Sequence, residues 1–333
     1  MGNKNTKGNL LIACDYVSVQ SGSEIVGHIY LQLNKKIKKK VSLSLVFTGS
    51  EQIEWNTGIL DMKKEKKRFR KEKKDVYIWD SGLAQGQYDF PFEFLLDNEI
   101  IPTFSAKEEK YGAQIEYYLH AIILGKGIKL KNSAKIEILQ KGVVERVPLG
   151  MFKELTYKQC CKKHIITLKG QLNSNIYYSD ENLTFELTYN SRDYSLKDIK
   201  VALTRKLLLK SSEGSKHFQK NIFSKTFPLV FPGRAISGTF NLVNHCDTLS
   251  KGKALVSNLI SCKYFLIISH STDSLCSQIL EPVEYEIPIF SNKSYVIPSP
   301  IESPNDWNPQ SYPLARMTFK DFKPSAPDYI EDN

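Results

Sequence analysis

Residues 79–96 read WDSGLAQGQYDFPFEFLL, and within them Tyr88, Phe90, Phe92 and Phe94 fall on every second position. Side chains alternate across a strand, so this spacing sets four rings on one face and Gln87, Asp89, Pro91 and Glu93 on the other. Aromatic rings carry a large apolar area and are mostly buried, so the ringed face is expected to line a core. Proline has no N–H to give to a ladder, which places Pro91 at a sheet edge or a bulge. The stretch reads as scaffold.

The same period extends outward in both directions. Alternating or β-rich runs occupy 9–19, 24–33, 41–48, 75–80, 114–124 and 134–139, and a second series occupies 165–172, 183–190, 197–209, 236–243, 254–260, 262–270 and 283–290. Clusters of Gly, Asn, Asp and Ser separate them, as an all-β sandwich requires. Residues 143–157 (VVERVPLGMFKELTY) break the rhythm and read as a connection. The expected organisation is a flexible start (1–8), a sandwich at 9–144, a linker at 145–157, a second sandwich at 158–291 and a Pro-rich disordered tail at 292–333. Seven of the chain's 14 prolines lie in its last 36 residues, a composition suited to linkage or recognition. SGSEIVGHIYLQL (21–33) and YSDENLTFELTYN (178–190) echo one another weakly, each running from a polar turn into an alternating strand.

A chain of 333 residues with 41% hydrophobic content can fill two cores. Its net charge of +10 is local. KKIKKK (35–40) and KKEKKRFRKEKK (63–74) together carry +12, so the remainder is slightly acidic. The candidates for anion contact are Lys35, Lys36, Lys38, Lys39 and Lys40 in the first run. In the second they are Lys63, Lys64, Lys66, Lys67, Arg68, Arg70, Lys71, Lys73 and Lys74. Such runs are expected as solvated loops. Phe69 is the one aromatic among them, which gives no stacking surface for single strands, so nucleic acid is not expected. Anionic headgroups or an acidic protein face suit them better.

Catalytic chemistry is hard to place. No Gly-rich phosphate loop, GxSxG or HExxH occurs, and no carboxylates stand at metal spacing. The six cysteines (14, 160, 161, 246, 262 and 276) form no CxxC pair. An enzyme, a cofactor and a metal are not expected.

Four segments resemble the N-terminal domain of the arrestin family. GQYDFPFEFLLDNEIIPTF (86–104) is similar to its G-x-(Y/H)-x-F-P-F-x-F segment, and YGAQIEYYLHAII (111–123) to the Y-G-x-I-x-Y-x-L-x-A strand that follows. FTGSEQIEW (47–55) and SGSEIVGHIYL (21–31) resemble two upstream strands. In the second half, KQCCKKHIITLKGQL (158–172) is similar to the cysteine-led strand that opens the C-terminal domain of α-arrestins, the arrestin domain-containing proteins, and VEYEIPI (283–289) to the closing strand. The resemblance implies two arrestin-type, immunoglobulin-like β-sandwiches and an adaptor rather than a catalyst. Receptor arrestins carry paired lysines in their first strand as phosphate sensors, and NLLIACDY (9–16) has none. The α-arrestin branch implies membrane cargo, endocytic and endosomal sorting machinery, and WW-domain ubiquitin ligases as partners. Its PPxY motif is approached here by PQSY (309–312). A retromer-type coat subunit and a lipid-binding β-module using the lysine-rich loops are the alternatives.

Two terminal motifs extend that reading. MGNKNT fits the N-myristoylation pattern with Gly2 as acceptor. One such chain binds membranes only marginally, so the basic runs would supply the second signal. Pro324, Ser325, Ala326 and Pro327 form a P-(S/T)-A-P tetrapeptide of the kind read by the ubiquitin-E2-variant domain of the endosomal sorting machinery. Two prolines hold such a peptide near polyproline II, so docking orders little. A cytoplasmic location, peripheral at plasma membrane or endosomes, is expected, because no apolar leader or span occurs in the chain.

Overall fold

The expected alternation is realised as strands throughout, and the described residues contain no α-helix. The computed structural model describes residues 7–57, 61–140, 145–159, 162–191, 196–228, 235–245, 255–272, 281–290, 304 and 307–318. The chain divides into two units, Met1–Lys141 with Ser294–Asn333, and Gly142–Lys293.

The first unit runs through β1 (Gly8–Cys14), β2 (Ser18–Gln20), β3 (Glu24–Leu33), β4 (Val41–Asn56), β5 (Met62–Trp79), β6 (Gly86–Leu95), β7 (Phe104–Glu108), β8 (Tyr111–Gly125) and β9 (Ile128–Leu139). One sheet has the order β1-β3-β6, and the facing sheet has the order β2-β9-β8-β4-β5 with β7 also on β8. Between them Phe90, Phe92 and Phe94 are fully buried and Tyr88 nearly so. Phe94 meets Phe47 of β4 at 5.1 Å between ring centroids, and Phe90 meets Tyr77 of β5 at 5.3 Å. The ringed face is therefore the inner layer of a β-sandwich, as its period implied.

The second unit is a sandwich of its own. It contains β10 (Leu149–Gln159), β11 (Lys162–Leu172), β12 (Tyr177–Tyr178), β13 (Asn182–Ser191), β14 (Leu196–Ser211), β15 (Gly214–Pro228), β16 (Ala235–Asn241), β17 (Leu255–Val256), β18 (Ile260–Thr272), β19 (Val283–Glu286) and β20 (Ile289–Phe290). Sheet β10-β11-β13-β16 faces sheet β15-β14-β18-β17, and β12 pairs with β20. Phe185, Phe223, Phe227 and Phe240 close the space between them, Phe223 and Phe240 at 4.4 Å.

Three expectations need correction. Residues 145–157 are not a free linker, because Leu149–Gln159 pairs antiparallel with β11 along its whole length. Just before it, Arg146 Nη1 donates to Glu181 Oε1 at 2.7 Å. Backbone pairing with a partner that begins at Lys162 supplies the order that local periodicity did not advertise. Residues 63–74 are not a solvated loop but most of β5, an 18-residue edge strand. Nor is the whole of 292–333 a disordered tail. Residues β21 (Gln310–Ser311) and β22 (Ala315–Thr318) add in parallel to the open edge of β6. The tail's Pro309 and Pro313 fall outside both strands, which leaves N–H groups for pairing where a sheet edge needs covering.

Pro91 explains the form of that addition. On one side it stands opposite His28 of β3. On the other, β21 pairs with Tyr88 and Asp89, and β22 resumes at Phe92, so the ladder is interrupted where the proline has no N–H to offer.

Candidate functional site

Pairing with β4 sorts the basic residues of β5 by face, since residues directly opposite share a side of the sheet. Lys64, Lys66, Arg68, Lys71 and Lys73 stand opposite Glu54, Gln52, Ser50, Thr48 and Val46 and face outward. Lys63, Lys67 and Lys74 stand opposite Trp55, Glu51 and Leu45, on the side that faces the other sheet. The run is thus split between two faces and does not form one patch.

A bulge takes Arg70 out of the anion-contact set. The register shifts between Gly49 and Ser50, which pair with Arg70 and Arg68, and Phe69 is left over. Its ring turns inward against Tyr117, at 5.7 Å and nearly perpendicular. Gly49 permits this approach, because a Cβ there would meet Tyr117 Cε1 at 2.7 Å and Phe69 Cε2 at 2.9 Å. Arg70 follows Phe69 inward. Its side chain is 9% exposed, and Nε donates to Glu72 Oε1 at 2.8 Å. Its Nη2 lies 3.9 Å from Asp97, and its guanidinium lies over the Phe47 ring. Burial raises the Glu72 carboxyl above its ordinary range despite the neighbouring guanidinium. Arg70 is an interior charge, and sequence reasoning placed it wrongly because nothing in a run of like charges marks a bulge.

The outward face gains basic residues from a strand that was not singled out. Lys131 and Lys135 of β9 stand opposite Ile122 and Tyr118 of β8. Their even-numbered spacing in IKLKNSAK (128–135), which puts both on one face of a strand, was the available signal. Some of this charge is compensated, Lys64 by Glu54 at 3.3 Å, Lys73 by Asp75 at 3.3 Å and Lys135 by Glu116. His120 reports the field of the rest. Burial, then Lys131 and Arg68, push its imidazole down to about 4, so it is neutral at physiological pH while Thr48 and Ser133 hold its two ring nitrogens.

The other basic run lies at the opposite end of β4. Ile37 is buried and pairs with Leu83 through two backbone hydrogen bonds of 2.8 and 3.0 Å. Gly82, with φ +88°, makes the turn possible, as a Cβ there would strike Ile37 O at 1.9 Å. Lys40 pairs with Asp80 at 2.9 Å. Lys35, Lys36, Lys38 and Lys39 instead line a cavity of about 320 Å³ with Lys7 and Lys126, two residues from distant segments. Along β4, at about 3.3 Å per residue, Val41 is about 16 Å from the Lys73 row and about 30 Å from the Arg68 row. The two basic regions are separate, with Lys73 the nearest outward lysine of β5 to the cavity end.

The β6 edge is occupied by the chain's own residues. Tyr312 sits among rings, 4.7 Å from Phe90, 5.1 Å from Tyr77 and 5.8 Å from Trp79. Trp79 Nε1 donates to its hydroxyl at 3.2 Å, and its own N–H donates to Asp89 O at 3.0 Å. Trp307 meets Tyr30 edge-on, and Arg316 pairs with Glu93 at 2.9 Å. Gly2 and Pro324–Pro327 lie outside the described residues.

Among the described residues no group of His, Cys, Asp and Glu is arranged to hold a metal ion, and no helix is long and apolar enough to cross a membrane. Residues 18–141 match the family model described as arrestin (or S-antigen), N-terminal domain. That match ends where the first segment of the first unit ends. No curated protein matches the chain.

Proposed function

We propose that this chain, which carries an arrestin N-terminal domain as its first sandwich, is a non-catalytic adaptor of the α-arrestin kind. It would link membrane cargo to endocytic and endosomal sorting machinery. The family match is the observation that carries the reading. Its support from chemistry is the distribution of charge: two separate basic regions on one unit suit an anionic membrane surface. Pro309–Tyr312, the approach to a WW-domain motif, lies against β6 with Tyr312 packed among rings, so a WW domain would have to compete for it.

Tail dependence tests the adaptor reading. Deleting residues 319–333 removes Pro324–Pro327 and leaves β21 and β22 in place. Proximity labelling should then lose the sorting-machinery partners and keep the cargo. A coat subunit of the retromer type would keep its full partner set, and that result would overturn the adaptor.

A further inference from the structure

Four cations on the outward face of the β5-β4-β8-β9 sheet answer to no carboxylate. Lys66, Arg68 and Lys71 of β5 and Lys131 of β9 are exposed, and among the described residues none of them forms an ion pair. They stand on the two flanks of β8, which pairs with β4 on one side and β9 on the other. Neighbouring strands lie about 4.8 Å apart, so the flanks formed by β5 and β9 are about 14 Å apart across the sheet.

Rings lie between the flanks. Tyr118 and His120 hold successive outward positions of β8, half-buried, and their rings are parallel within 9° with centroids 6.1 Å apart. Tyr118 shares its row with Lys71 and Lys135. Arg68 stands one row before Tyr118, and Lys131 one row after His120. Thr48 Oγ1 of β4, at 3.0 Å, and Ser133 Oγ of β9, at 2.6 Å, hold the two imidazole nitrogens. Burial, then the Lys131 and Arg68 charges, keep that ring neutral. Its orientation is therefore set before any ligand arrives, which lowers the ordering cost of binding. The lysine-rich runs offer one aromatic, Phe69, and it turns inward. Folding supplies the missing rings from β8, a strand outside both runs.

The geometry points to this face as a platform for single-stranded nucleic acid, with bases stacking on Tyr118 and His120 and phosphates met by Arg68, Lys71 and Lys131. Lys66, two positions from Arg68 on the same strand face, extends the basic track. Aromatic side chains within a basic track bind a strand with little regard to sequence, because every base has a π-face. Aromatics on the open face of a sheet are one established way of doing so. A duplex keeps its bases stacked on one another and leaves these rings nothing to engage. A lipid surface or an acidic polypeptide would use the cations and ignore the rings. The inference is independent of the adaptor reading.

The test uses the full chain and a fluorescein-labelled oligouridylate of about 16 nucleotides, the upper end of a single-fold site, read by fluorescence anisotropy. Tyr118→Leu keeps an apolar side chain and removes the ring, and should weaken binding about tenfold, the loss of one stacked base. The triple variant Arg68→Gln, Lys71→Gln, Lys131→Gln should weaken it more than about tenfold and flatten the log–log salt dependence by about 2, at about 0.7 per phosphate contact. The matched triple Lys36→Gln, Lys38→Gln, Lys39→Gln removes the same charge elsewhere on the unit and should change binding less than about threefold. Unchanged circular-dichroism melting of all three variants confirms folding. No binding by the parent chain, or equal losses in the two triples, overturns the platform. Full binding by Tyr118→Leu overturns it as well, since the face would then be a plain contact for polyanions. Phosphatidylserine vesicles or polyglutamate that displace the labelled strand as well as unlabelled oligouridylate does would assign the face to a membrane or an acidic protein, and that result also overturns it.

Discussion

Arg70 offers a direct test of where the basic residues of β5 point. Substituting Arg70→Met keeps much of the side chain's length and removes its charge. In the parent chain the guanidinium is 9% exposed and the Glu72 carboxylate 19% exposed. Breaking a pair this deep strands the remaining charge. That costs about 3 kcal/mol, the low end of the range for buried pairs, since Glu72 keeps some contact with water. For a unit of this size the loss should lower the melting temperature by about 6–12 °C. The loss should depend on pH. Burial already raises the Glu72 carboxyl above its ordinary 4.5, and Arg70 opposes that rise. With Arg70 gone the folded-state value climbs further, so the protonated form is favoured on folding. Stability from a raised carboxyl is fully present below the unfolded value and is lost as pH rises through the folded value. The deficit of the variant should therefore be largest at neutral pH and shrink as pH falls toward 4.5. Adding Glu72→Met should restore at least half of the loss, because two apolar groups replace a stranded charge. Differential scanning fluorimetry across pH reads all of this. A single variant that melts within about 2 °C of the parent would show that Arg70 is an ordinary solvated cation and that the bulge does not turn it inward.

Three further outcomes follow from the same geometry. Phe92→Ala, at a fully buried position, should destabilise the first sandwich by about 3–5 kcal/mol in denaturant titration, and an unchanged midpoint would contradict its inward assignment. Tyr312→Ala should speed tryptic cleavage after Arg316, because it removes the ring contacts and the Trp79 hydrogen bond that hold the tail on β6; equal cleavage rates would mean that the rings do not hold it. Intact-mass analysis of the protein from its native cell should show a myristoyl group on Gly2, and an unmodified glycine there removes the proposed anchor.

The aromatic stripe was legible because hydropathy and period agree at Tyr88, Phe90, Phe92 and Phe94. The β5 strand was not, and the reason is physical. KKEKKRFRKEKK has charge on both faces, so its alternation carries no contrast, and lysine and glutamate are poor strand formers. What makes it a strand is β4 beside it, a partner seven or more residues away whose own stripe (Leu43, Leu45, Phe47, Ile53, Trp55) is buried. The bulge at Phe69 was equally silent, since it depends on the room that Gly49 leaves. Residues 149–159 and 310–318 were misread for a related reason. Residues 149–159 take their order from hydrogen bonds to the strand that follows them, residues 310–318 from the distant backbone of β6, and the tail's docking residues Trp307, Tyr312 and Met317 are too sparse to show a period. The cavity at the rim could be half read. KKIKKK announced its charge, but only folding brings Lys7 and Lys126 to it, from segments that lie 28 and 86 residues away from Lys35 and Lys40.

Strand register also gives the proposed adaptor a direction. Gly8 pairs with Leu33, and Leu33 with Gly86, so β1 begins at one end of its sheet. The lysine cavity opens at that end, because residues 34–40 leave Leu33 there. Thr318 pairs with Leu95, and Leu95 with Glu24, which is the opposite end of the same ladder. Ten residues of β3 separate the two ends, about 30 Å. From Gly8, Gly2 is within about 20 Å of extended chain, and from Thr318 so is Pro324, at up to about 3.6 Å per residue. An acyl group on Gly2 would therefore act beside the lysine cavity, adding an apolar term to its electrostatic one at the same end of the unit. A sorting domain that reads Pro324–Pro327 would work from the other end. Its binding site would lie within roughly 50 Å of the acylated end, the sheet length plus one tether. Moving the tetrapeptide outward with a long flexible insert after Thr318 would lower its effective concentration at membrane-bound partners without touching any contact. Recruitment of the sorting domain should fall as the insert lengthens, while the affinity of the free tail peptide stays constant. If recruitment is independent of insert length, the two ends act independently and the register has no functional consequence.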